Sequence, residues 1–327
     1  MSDSRPVRLS AGIQFGVLLP TRGVLFSPGG PDITPIYRMA EAAEAAGYHS
    51  AWVGDSVTAK PRLDAVATLA VVAARTERLR LGTAVMLAAL RPPVILAHQI
   101  ASLDVLAGGR LIWGVGAGRG GRAILDNEFA ACGVPMHERA RRLEELLKIC
   151  RLLWSGKPVS YSGQHYQLQD VTLEPVPIQN PGVPIWIASN LIERGLKRVA
   201  ALADAWITNV TTLDVYRQCW EKIGGYARAA GRDRGMIGQC LYLTINVDPD
   251  GEAARRQGRS FLEQYYKKSA DEIMVDLVCH FGSPEDCAER INGYVREGVR
   301  TVILRFAAPN QLEQLVVVTE ELLPLFR

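Results

Sequence analysis

The chain has 327 residues, 48% hydrophobic and 22% charged, with a formal net charge of +3. That length suits an eight-fold α/β barrel, which takes about 250 residues plus insertions, and so small a charge argues against nucleic acid or an anionic membrane as partner. No apolar run reaches the roughly 18 residues of a membrane span, and the first twelve residues lack the apolar stretch and cleavage site of a secretory leader. Six cysteines and five histidines are scattered, without CxxC pairing or zinc spacing. Reduced thiols, a cytoplasmic location and no metal are therefore expected.

Ile13–Leu19 reads as a buried strand stopped by Pro20. The Gly- and Pro-rich loop Thr21–Pro31 carries Leu25 and Phe26. A loop after a first barrel strand lies at the mouth, so these two are candidate substrate-pocket residues; the alternative is a loop packed on itself. Thr34–Ala46 reads as a helix, Ser50–Gly54 as strand two with Asp55 at its end, and Leu63–Arg75 as the next helix. Leu79–Val85 is strand three. Val94–Ala107 repeats apolar Leu96, Ile100, Leu103 and Ala107 at helical spacing after Pro92-Pro93, and Gly108-Gly109 ends it. Arg110–Gly116 is strand four. Two strands joined by a helix-length crossover form a parallel, neighbouring pair.

Gly116–Gly121 contains a formal GxGxxG. A dinucleotide fold needs that motif after its first strand, with an acidic residue about 20 positions on. Here it follows a fourth strand, so the glycines read as close backbone approach to a flat ring or phosphate. His137–Trp154 is a long helix, Val159–Gln169 a hairpin, and Val183–Ala188 strand five. Ser189-Asn190 is read as the N-cap of a helix over Leu191–Ala203, a geometry that also offers backbone N–H groups to a phosphate. Asp204–Asn209 and Gly238–Val247 are strands six and seven, separated by a helix over Thr212–Ala230. Gly251–Lys268 is helical, and Asp271–Phe281 reads as a mouth insertion. Ser283 opens a helix to Glu297, Arg300–Phe306 is strand eight, and Asn310–Leu325 is the last helix. Eight alternating strands and helices predict one domain, residues 1–327, of (β/α)8 TIM-barrel class with insertions at its C-terminal mouth.

Arg78–Val85 (RLRLGTAV) and Arg91–Gly118 (RPPVILAHQIASLDVLAGGRLIWGVGAG) resemble the luciferase-like monooxygenase superfamily, which holds bacterial luciferase, alkanesulfonate-type monooxygenases and deazaflavin-using relatives. Phe129, Gly133-Val134-Pro135, Glu138-Arg139, Arg142-Leu143-Glu144 and Ala203-Asp204-Ala205-Trp206 extend the likeness along the chain. The resemblance implies a cis peptide at Ala84–Val85 beneath a flavin ring, a ring bed at Gly116, Ala117 and Gly118, and a phosphate site at Ala188, Ser189 and Asn190. It makes Asp55 and Arg119 the candidate catalytic residues; the alternatives are a loop-capping carboxylate and a surface arginine. In several deazaflavin dehydrogenases a His follows the Asp and a Glu stands near position 119; this chain has Ser56 and Arg119. Met86, Leu87 and Phe306 join Leu25 and Phe26 as apolar mouth residues.

The leading expectation is a two-component monooxygenase that uses reduced FMN, delivered by a separate flavin reductase, and O2 on a small organic substrate. The first alternative is a hydride-transfer dehydrogenase or reductase dependent on the deazaflavin coenzyme F-420. The second is a non-catalytic flavin-binding subunit, which the glycines at 114–121 disfavour. A homo-oligomer is expected from the family.

Overall fold

The computed structural model describes residues 12–26, 30–118 and 123–326. The first half holds β1 (Gln14–Leu18), α1 (Thr34–Ala45), β2 (Ser50–Val53), α2 (Ala65–Ala73), β3 (Arg80–Thr83), α3 (Pro93–Leu106) and β4 (Leu111–Val115). Next come α4 (Ala123–Ala131), α5 (Arg139–Leu153), the hairpin β5 (Val159–Ser162) and β6 (Gln167–Val171), β7 (Ile185–Ala188), α6 (Glu193–Leu202) and β8 (Ala205–Thr208). The chain closes with α7 (Leu213–Ala229), β9 (Gly238–Val247), α8 (Gly251–Tyr266), α9 (Ala270–Asp276), β10 (Cys279–Gly282), α10 (Pro284–Arg296), β11 (Thr301–Phe306) and α11 (Gln311–Val317).

Parallel strands run β1-β2-β3-β4-β7-β8-β9-β11 and return to β1, which closes an eight-stranded (β/α)8 barrel. β10 is a ninth strand. Gly238–Leu241 of β9 pair with β8, whereas Thr244–Val247 pair with β10. The expected mouth insertion over Asp271–Phe281 thus contains a helix and a strand that widen the barrel at its C-terminal end.

Two cores result from strand alternation, since successive side chains point to opposite faces. The larger lies between strands and helices. The smaller fills the barrel with Trp52, Ile112, Ile207, Cys240 and Ile303. Gly16 and Gly82 are glycine because an added Cβ at either would strike the Trp52 indole. That indole donates to Ser50 Oγ at 2.8 Å and lies 5.2 Å from the Trp186 ring. Tryptophan therefore plugs the barrel below, and the half-buried Leu18, Ala84, Val85, Trp186, Ala188 and Tyr242 form a floor above it.

Local chemistry sets the helix ends. Asp64, Thr212, Asp250, Ser269, Ser283 and Asn310 cap their helices through side-chain oxygens, satisfying first-turn N–H groups. Arg110 donates to the carbonyls of Ala73, Thr76 and Leu79, closing the end of α2 on β3. The last predicted helix is regular only to Val317 and continues as a π turn, Val318–Leu322, and a 3-10 turn, Leu323–Phe326. Among the described residues no helix is long and apolar enough to cross a membrane, and no group of three His, Cys, Asp or Glu could hold a metal ion.

Candidate active site

The floor of the mouth comes from the ends of β3, β4 and β7, adjacent strands whose register aligns Leu81 with Leu111 and Val115 with Ile187. The Ala84–Val85 peptide is cis. Beyond β3 the chain stays beside β4: Met86 N donates to Gly114 O, and Gly116 N donates to Met86 O. A Cβ on Gly116 would lie 2.7 Å from Val85 Cγ2 and 4.0 Å from Ala188 Cβ, so three strand ends meet there. Gly118 has φ +77°, and a side chain on it would press the Phe129 ring at 2.9 Å. Ala117 is half-buried beside it.

Ser189 and Asn190 do not cap α6, as the sequence suggested. The N-cap is Ile192, in extended conformation and with no side-chain bond. Asn190 instead turns toward β8: its Nδ2 donates to Asn209 Oδ1 at 2.6 Å and its Oδ1 accepts from Thr208 Oγ1 at 3.2 Å. The first turn of α6 therefore keeps N–H groups without a side-chain acceptor, at the positive end of the helix dipole. Ser189 sits against it, since a Cβ on Gly195 would overlap the Ser189 hydroxyl.

The wall after β2 is built from two carboxylates that each accept several hydrogen bonds, although Glu128 Oε2 is buried without a partner. Asp55 Oδ1 and Oδ2 take a bidentate pair from Arg91, both bonds 2.8 Å, and Oδ2 also accepts Leu87 N at 2.9 Å. With its side chain only 2% exposed, Asp55 anchors the 84–91 segment to β2 instead of standing free as an acid or base. Glu128, from α4, is fully buried and accepts at Oε1 from Ser56 Oγ and from the backbone N–H groups of Val57, Thr58 and Ala59. Burial alone would raise the Glu128 pKa; the Ser56 hydroxyl and the three N–H groups outweigh it and hold the pKa below the ordinary value. Ser56 is occupied in this brace and also accepts Lys60 N at 2.9 Å.

The opposite wall is cationic and aromatic. Arg305, the next-to-last residue of β11, is 6% exposed and donates through Nη1 to Tyr266 Oη at 2.7 Å. Its guanidinium lies 4.5 Å from the Tyr265 ring centre and 5.2 Å from that of Tyr266. Arg22 stands 4.3 Å from the Tyr265 ring, and Arg62 lies over Gly54, where a side chain would displace its guanidinium. Burial would raise the Tyr265 phenol, yet Arg305, Arg62 and Arg22 outweigh it and lower its pKa. Between the walls is a cleft that also touches Leu18, Lys60, Ala84, Val85 and Tyr242.

Several expected pocket residues lie elsewhere. Met86 is fully buried in the outer core, with its Sδ 3.3 Å from Trp113 Nε1. Phe306 is fully buried in the same core. Alternation explains it: Ile303 and Arg305 point into the barrel, whereas Leu304 and Phe306 point to the helices. Leu25 is half-buried in a 3-10 turn, Gly23–Phe26, and its neighbour Val24 enters the core. Arg119 and the side chain of Phe26 lie outside the described residues. Arg91, Glu128 and Arg305 were not singled out for the site. Parity along β11 was the available signal for Arg305; Arg91 and Glu128 had none beyond the motifs that contain them.

The family model described as luciferase-like monooxygenase matches residues 13–301. The chain is 28% identical to an F420-dependent glucose-6-phosphate dehydrogenase of Kineococcus radiotolerans, over 92% of this chain and 94% of that one. It is 23% identical to the 5,10-methylenetetrahydromethanopterin reductase of Archaeoglobus fulgidus, over 86% and 92%. Two solved structures share the fold. The coenzyme F420 dependent tetrahydromethanopterin reductase from Methanopyrus kandleri superposes with a TM-score of 0.77 at 21% identity, covering 97% of this chain and 100% of that one. A monooxygenase from Streptomyces bottropensis gives 0.78 at 23%, covering 96% and 100%. The matched family model spans most of the chain, including the floor of the cleft and its Asp55–Glu128 wall, and ends just before Arg305; the chain belongs to the luciferase-like monooxygenase family as one of its oxidoreductases.

Proposed function

We propose that this protein is a coenzyme F-420-dependent oxidoreductase that catalyses hydride transfer on a small organic substrate, in place of the FMN-dependent oxygenation expected first. The observation that carries the choice of cofactor is the near-full-length likeness to an F420-dependent dehydrogenase. The monooxygenase neighbour, at 23% identity, speaks for the fold alone.

The residues present fit such a cofactor. Ala84, Val85, Gly116, Ala117, Gly118 and Ala188 make a flat bed of small groups, and Gly116 leaves no side chain in the way. Ser189, Asn190 and the acceptor-free first turn of α6 suit a phosphate. When bound, the deazaflavin supplies the hydride acceptor or donor. The protein's own part is to orient and to exclude water: Asp55 and Arg91 hold the 84–91 segment under the ring, and the Tyr265–Tyr266–Arg305 wall faces the substrate side. Ser56, bonded to Glu128, is not assigned the role a His has in some dehydrogenases, so glucose 6-phosphate oxidation is not part of the proposal.

A second copy of the chain is the proposed partner. Val71, Ile95, Val105 and Leu106, on α2 and α3, are 41–67% exposed, and apolar groups so placed suit self-association. Size-exclusion with light scattering tests it.

The main test is titration of the purified chain with F-420 and, separately, FMN. F-420 binding at least about tenfold tighter than FMN, about 1.4 kcal/mol, with anaerobic bleaching of F-420 on a panel of alcohols and aldehydes, is the expected result. Preference for FMN, with oxygen uptake on addition of a reductase, would return the protein to the monooxygenases.

A further inference from the structure

The Arg305 guanidinium is always charged, 6% exposed, and its Nη2 is buried with no hydrogen-bond partner. Among the described residues it forms no ion pair, and the same holds for Arg62 and Arg22. The one carboxylate lining the cleft, Asp55, is taken by Arg91. A buried cation without a counter-charge costs stability unless something compensates it. Here the compensation inside the chain is one phenol oxygen and aromatic faces. Nη1 is engaged with Tyr266, which leaves Nη2 as the unmet donor beside the cleft. A carboxylate or phosphate oxygen is the acceptor that suits a guanidinium edge best.

We propose that Arg305 anchors a compact oxyanion, a carboxylate or phosphate ester, carried by the substrate. Tyr265 and Tyr266 clamp the guanidinium, and Arg62 and Arg22 add to the field in which the anion sits. Arg305 lies on β11, across the barrel from the α6 end of the floor, so the anion meets a site separate from the one proposed for the cofactor phosphate. The inference rests on the proposed function only in making that anion part of a substrate.

Calorimetric titration of the full chain with inorganic phosphate and with acetate tests it, alongside Arg305→Met and Arg305→Lys. At least one probe should bind the parent protein. Arg305→Met should weaken that binding roughly 10- to 100-fold, the size of one lost charge-assisted bond. Arg305→Lys should fall between, and both variants should bind F-420 within about twofold of the parent. Circular dichroism checks folding, and Arg305→Lys carries the test if the methionine variant unfolds. Failure of both probes to bind the parent protein, or unchanged affinity in Arg305→Met, overturns the proposal. So does a matching loss of F-420 affinity, which would make Arg305 a cofactor ligand. A parent protein that ignores F-420 yet binds an oxyanion through Arg305 keeps the anchor and discards the cofactor reading.

Discussion

On the β2–β4 side of the mouth, Glu128 accepts from four donors and Asp55 from three. On the β9–β11 side, Arg305 has one hydrogen-bond partner and an idle, buried Nη2. Both regions bury charge within one barrel end, but they use it differently. These carboxylates, through Glu128 Oε1 and both oxygens of Asp55, tie loops to strands, so removing a member leaves stranded donors. An under-compensated guanidinium ties little together, and its charge is left available to a ligand. Losses of stability should therefore concentrate on the first side and losses of binding on the second.

Glu128→Ala is the largest expected effect. It strands the Ser56 hydroxyl and three N–H groups, and about 3–5 kcal/mol of unfolding free energy should go, read from urea denaturation. Next is Arg91→Met, which leaves Asp55 buried without its counter-charge; about 3 kcal/mol is expected, together with weaker F-420 binding as the 84–91 segment loosens. A smaller effect is the acid response. The Glu128 pKa is depressed in the fold, so its contribution is present above the unfolded value of 4.5 and is lost as pH falls through the lower folded value. Glu128→Gln should flatten that acid limb of stability against pH. The smallest is Arg305→Met, whose stability should stay within about 1 kcal/mol of the parent, because lost cation–π contact and relieved burial of charge oppose one another. Equal destabilisation by Arg91→Met and Arg305→Met would break the contrast.

Much of the architecture was legible residue by residue. Every barrel strand from Ile13–Leu19 to Arg300–Phe306 was found within about three residues, because apolar runs with glycine and proline stops report local conformation. The site was legible less evenly. Ala84, Gly116 and Ser189 were grouped through motif resemblance, and the strand order does bring their positions together. Asp55 was found at the mouth, but its engagement by Arg91 was not foreseen. The N-cap expected of Ser189 and Asn190 failed because Asn190 found partners on the next strand.

The sequence alone thus determined the strand and helix periods, the turns and the family, since each depends on neighbours a few positions apart or on a contiguous motif. Tertiary structure decided which charges are spent and which are spare. Ser56 and Glu128 are 72 positions apart, Asp55 and Arg91 are 36, and Tyr266 and Arg305 are 39. A hydrogen bond is a matter of angstroms in space, and only barrel closure brings such distant positions within that range.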